Sequence, residues 1–122
     1  MRAEEIFEKS VAVMKQLVTP KGVTEALVRA KGRTEGENLG LLLRERENIN
    51  ELVRKIVDAK GSRQALNGVP EELRDAMVMR YLRNRDIFMK TFPEGIEDVD
   101  ADPVSIWAAI MISPQDEMRA DN

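Results

Sequence analysis

Apolar residues recur along this chain at helical spacing, and nowhere do they alternate with polar ones over a length that would make a strand. Phe7, Val11, Met14 and Val18 fall at intervals of four, three and four, with Ile6, Val13 and Leu17 beside them, and this wide stripe predicts a helix over residues 2–17. Pro20 disfavours a helical residue in front of it, so the helix should stop there, with Lys21-Gly22 completing a turn. A short helix from Val23 to Lys31 should follow, with Leu27 and Ala30 on one face and Gly32 as a left-handed stop.

Thr34-Glu35-Gly36-Glu37 reads as a capping box: the Thr34 hydroxyl accepts from the Glu37 amide while the Glu37 carboxylate reaches back. Leu39, Leu42, Arg46, Ile49, Leu52, Val53, Ile56 and Val57 continue one near-apolar stripe to Gly61. The expectation is therefore a single long helix of about 26 residues, ~39 Å at the helical rise. On its charged face Glu51 and Lys55 form an attractive i,i+4 pair. Residues 61–69 read as a connection or one helical turn. Pro70 followed by Glu71 and Glu72 opens the next helix, because proline tolerates the first position and acids suit the positive end. Leu73, Met77, Tyr81, Asn84 and Phe88 make one face of it and Val78, Leu82 and Met89 broaden that face, so burial on more than one side is expected, with an end near Thr91. Asp102-Pro103 then caps and starts a short apolar helix through Ile112 that carries the only tryptophan, Trp107. These elements predict an all-α domain, a small antiparallel bundle of four to five helices over residues 1–112, followed by a polar tail, 113–122.

Composition narrows the chemistry. The chain has 122 residues, 43% hydrophobic and 34% charged, enough for one core without metal or disulfide support. It contains neither cysteine nor histidine. That removes thiolate zinc sites, iron–sulfur clusters, cysteine nucleophiles and every Ser-His-Asp arrangement, and makes the cytoplasm the expected compartment. Met1-Arg2-Ala3-Glu4-Glu5 carries acids where an export signal starts basic, and the longest apolar run, Ile106–Ile112, is far short of the ~20 residues needed to span a bilayer, so no membrane role is expected. Charge is split along the chain. Residues 1–92 hold 18 Lys or Arg against 14 Asp or Glu, whereas residues 93–122 hold eight acids and only Arg119.

No constellation for catalysis or metal binding completes itself. Asp98, Asp100 and Asp102 alternate like the first ligands of a calcium loop, but Pro103 stands where its glycine belongs and Ala109 where its bidentate glutamate belongs. Glu72-Leu73-Arg74-Asp75 offers one carboxylate pair, and Glu47-Asn48-Ile49-Asn50 lacks the second acid of its counterpart. Gly32, Gly36 and Gly40 are not followed by the Gly-Lys-Ser/Thr ending of a phosphate loop. The expectation is a non-enzyme with no cofactor and no metal.

The string from Val69 to Leu82 resembles the opening helix of the promoter-reading helix-turn-helix of sigma factors. The pattern breaks where the turn should come, since Asn84–Thr91 continues the same helix and Phe92-Pro93-Glu94-Gly95 leads into acids that repel phosphate. Leu43-Arg44-Glu45-Arg46-Glu47 on a long amphipathic helix, with the turn into Val69-Pro70-Glu71-Glu72-Leu73, is similar to the small helical export chaperones of flagellar and type III secretion systems. These features are common to antiparallel bundles and assign no residue a role.

The function expected is a non-enzymatic adaptor, chaperone or inhibitor that presents a helix face or groove to a protein, a second copy of the chain being one such partner. Seven methionines against five aromatics suit an adaptable apolar surface. The residues expected to meet the partner are Arg80, Tyr81, Arg83 and Arg85 on the fourth helix, and Trp107. One alternative is a small nucleic-acid-associated regulator using those arginines, with Arg74 and Lys90 adding charge and Tyr81 stacking on a base. Another is a phage or accessory protein whose acidic end imitates nucleic acid.

Overall fold

The computed structural model describes residues 1–97 and 102–112. Five α-helices and one 3₁₀ turn account for most of them, with no strand among the described residues: α1 (Ala3–Lys31), α2 (Glu35–Arg44), α3 (Arg46–Asp58), the 3₁₀ turn (Arg63–Leu66), α4 (Glu71–Thr91) and α5 (Pro103–Ile112). The all-α expectation holds. The alternating aspartates 98 and 100 and the tail 113–122 lie outside the described residues.

Two boundaries differ from the sequence reading. Helix α1 does not end at a turn before Pro20; it breaks at Thr19, whose φ of 65° and ψ of 155° are non-helical, and resumes at once. Pro20 takes the first position of the second arm, where its missing N–H costs nothing, and the Thr19 hydroxyl caps that arm by accepting from the Gly22 amide at 3.1 Å. Lys21-Gly22 is thus the first turn of a helix. At its far end Gly32 is right-handed (φ −77°, ψ −8°) and not the left-handed stop expected.

The single long helix is two. The Thr34 capping box forms as read, with Glu37 N donating to Thr34 Oγ1 and Thr34 N donating to Glu37 Oε1, both at 3.1 Å. These bonds, the Thr34 amide first, hold the Glu37 carboxyl below its usual range. At Glu45 (φ −90°, ψ 4°) the helix then flattens. Helical bonds still run into and out of this residue, Glu45 N to Leu41 O at 3.0 Å and Ile49 N to Glu45 O at 2.8 Å. The inward residues of α2 are Leu41 and Leu42, while Leu39, expected inside, is 41% exposed, as is Leu43. Helix α3 seats Ile49, Leu52, Val53 and Ile56, and Val57 stays at the surface.

Helix α5 is the filling of the bundle. It is apolar almost all round and packs against α1, α3 and α4, burying Ile106, Trp107, Ile110 and Met111. Its start is capped by Asp102, whose carboxylate accepts from the amide (3.0 Å) and hydroxyl (3.1 Å) of Ser105. Those two bonds hold the Asp102 carboxyl below its usual value. Gly61 makes the approach of α5 feasible: its φ is +81°, and a Cβ there would stand 2.8 Å from Cγ2 of Val104. As expected, α4 is buried on several sides, by Ala76, Met77, Val78, Tyr81, Asn84 and Phe88.

One buried charge joins the second arm of α1 to α4. Asp75 is 1% exposed. It accepts from Arg29 Nε at 2.7 Å and Nη2 at 2.8 Å, and from Arg33 Nη2 at 3.3 Å. The Asp75 bonds, reinforced by the charges of Asp75, Glu71 and Glu25, raise the Arg29 pKa above its ordinary value against the effect of burial.

Candidate functional site

The break at Thr19 opens a cavity between the two arms of α1 and the middle of α4. Its volume is about 270 Å³. Each wall is one helical stripe: Val11, Met14 and Lys15 from the first arm, Pro20, Val23 and Thr24 from the second, and Val78, Tyr81, Leu82 and Arg85 from α4. The lining is mainly apolar, with the cationic side chains of Lys15 and Arg85 as its charged members.

The floor is held by a hydrogen-bond chain. Ser10 Oγ donates to the Phe7 carbonyl at 2.8 Å, which leaves Ser10 Oγ to accept from the Tyr81 hydroxyl at 2.8 Å. Ser10 and Tyr81 are both buried. Burial raises the Tyr81 pKa above its ordinary value, and the nearby Arg85 charge offsets part of that rise. Arg85 is placed by its neighbours: its guanidinium carbon sits 4.6 Å from the centre of the Phe7 ring, and Nη2 lies 3.9 Å from an Asp86 carboxylate oxygen. A site so lined can grip an apolar group and favour negative charge beside it.

Of the five residues singled out from the sequence, the structure brings Tyr81 and Arg85 to this cavity. Trp107 is fully buried in the core. Arg80 is 2% exposed and donates from Nη1 to Asn50 Oδ1 at 2.6 Å; burial, with the charge of Arg46 nearby, brings its pKa down to about 10. Arg83 is half-buried with its Nε enclosed, and it does not line the cavity. Arg74, counted with the same basic set, donates to the Leu66 carbonyl at 3.0 Å. The arginines of α4 therefore point to several sides and do not form one basic face.

Sequence reasoning missed Lys15, Val23 and Thr19. The signal for Thr19 was available: a threonine directly before a proline, three residues ahead of a free amide, is a helix cap as readily as the end of a turn.

No known protein family, curated protein or solved structure matches this chain. Among the described residues no helix is long and apolar enough to cross a membrane, and no group of three acidic residues is gathered for a metal.

Proposed function

We propose that this protein is a non-enzymatic binding module, of the adaptor, chaperone or inhibitor kind, that seats an acidic segment of a partner protein across the break in α1. An apolar side chain of the partner enters the cavity, and the acids flanking it face Lys15 and Arg85. The observation that carries this reading is the cavity itself. At about 270 Å³, near the ~300 Å³ lower end of small-molecule sites, it has room for the one or two anchoring side chains on which protein contacts depend. Thr19 supports it, because a non-glycine residue held in this backbone region is strained, and such strain gathers at ligand clamps. The inward engagement of Arg74 and Arg80 favours a protein partner over nucleic acid. A cytoplasmic setting suits a chain without cysteine.

The test is selection of displayed peptides on the full chain, followed by affinity measurement on Thr24→Trp, which plugs the mouth from an exposed position, and on Lys15→Glu. Selected peptides should share an apolar residue flanked by Asp or Glu, lose at least tenfold in affinity on Thr24→Trp, and weaken on Lys15→Glu. Peptides without that signature, or indifferent to both changes, would refute the proposal.

A further inference from the structure

We infer that the second arm of α1, residues 20–31, is a hinged wall of the cavity: it comes away from the bundle as one unit at Thr19, and the Arg29–Asp75 pair is its latch. This motion governs access to the cavity whatever enters it, and it can be observed without a ligand.

The two arms are fixed to the bundle unequally. Ala3, Ile6, Ser10, Val13, Met14 and Leu17 of the first arm are buried, whereas the second arm buries Ala26 alone. Val23 packs against the core in part, and Leu27 and Val28 stand 39% and 63% exposed. Packing of an apolar stripe is what holds most protein helices in place, and an alanine supplies a single methyl of it. The ties at the far end of the arm are polar: the bidentate Arg29–Asp75 pair, and a bond from Asn38 Nδ2 to the Ala30 carbonyl at 2.9 Å. Water replaces these bonds when the arm departs, so each opposes release by only part of its strength.

The near end is built to pivot. Thr19 carries non-helical angles between two helical arms, and its φ of 65° is a strained one for threonine. Pro20 has no N–H to give back to the first arm, and the Gly22 amide donates to the Thr19 hydroxyl instead. Gly22 lies so close to the first arm that a Cβ there would stand 2.9 Å from Val18 Cγ1, so the arms touch through bare backbone. Release frees Thr19 from its strain and takes Pro20, Val23 and Thr24 out of the cavity lining, which leaves an open groove between the first arm and α4.

Backbone hydrogen exchange of the full chain, followed residue by residue, reads the motion. A helix this short is marginal in water once detached, so its amides exchange on each release. The amides of residues 24–31 should share one protection factor, roughly tenfold or more below those of Met14, Ile56 and Met77. Ile56→Val lies in α3, which packs on α4 and α5, and should speed exchange of the core amides roughly fivefold while leaving the arm unchanged. Arg29→Ala should speed the arm by about tenfold or more. An arm as protected as the core, an arm that follows the core on Ile56→Val, or first-arm amides as fast as those of the second would overturn the inference. So would rates graded inward from Lys31, the mark of end fraying, and an arm indifferent to Arg29→Ala.

Discussion

Arg29 grips Asp75 with two parallel hydrogen bonds, 2.7 and 2.8 Å, across the gap between the second arm of α1 and the first turns of α4. The carboxylate is buried and the arginine partly exposed, so the two deletions are unequal. Removing the cation leaves an enclosed charge served by Arg33 alone, at 3.3 Å. Arg29→Ala should therefore lower stability by ~3 kcal/mol, near the low end of the range for a broken buried pair, and Arg33→Ala by less than half as much. Denaturant midpoints at pH 7 measure both.

Thr19 carries two opposing effects at one position: its hydroxyl caps the second arm, and its backbone sits where side chains are disfavoured. Glycine relieves the backbone and gives up little as a cap, whereas alanine keeps the strain and loses the cap. Thr19→Gly should accordingly be at least ~1 kcal/mol more stable than Thr19→Ala. Equal stabilities would mean that Thr19 is not strained in solution.

What could be read in advance follows from how local each signal is. The Thr34 box and the Asp102-Pro103 start are satisfied within four residues, and both formed where the side chains said. The inward stripe of α3 is also local, and Ile49, Leu52, Val53 and Ile56 are all buried. The exchange of Leu39 for Leu41 depends on how α2 lies against α4 after the flattening at Glu45, and no periodicity within α2 contains that information. The cavity is less local still. Tyr81 and Arg85 stand out in the sequence as an aromatic among arginines, but what brings them to one cavity is the arrival of Lys15 and Val23 from two arms of a helix that Thr19 divides. Trp107 and Arg80 fell to the interior for the same reason: burial is settled by the packing of α5 and α3, not by residue type.

Loss of the Thr34 hydroxyl leaves one amide at the start of α2 without its partner. Thr34→Ala should reduce stability by about 1 kcal/mol, seen as a lower denaturation midpoint with an unchanged slope. Thr34→Ser should behave as the wild type.

Tyr81 is the only tyrosine, so absorbance near 295 nm follows its ionisation without overlap. Burial raises its pKa in the folded chain above the ~10 of an exposed tyrosine. The stability this group contributes is thus fully present below pH ~10 and is lost as the pH rises through the folded value. The expected record is a midpoint above the ordinary value in the native protein, returning to it in denaturant.

Whether the break in α1 receives an apolar side chain flanked by acids is decided by methyl NMR of the full chain during titration with a selected peptide. Saturable shifts are expected, concentrated on the methyl groups of Val11, Val23, Val78 and Leu82 and abolished by Thr24→Trp. Saturable shifts centred on Leu39 and Leu43, with the cavity methyls unmoved, would contradict that expectation.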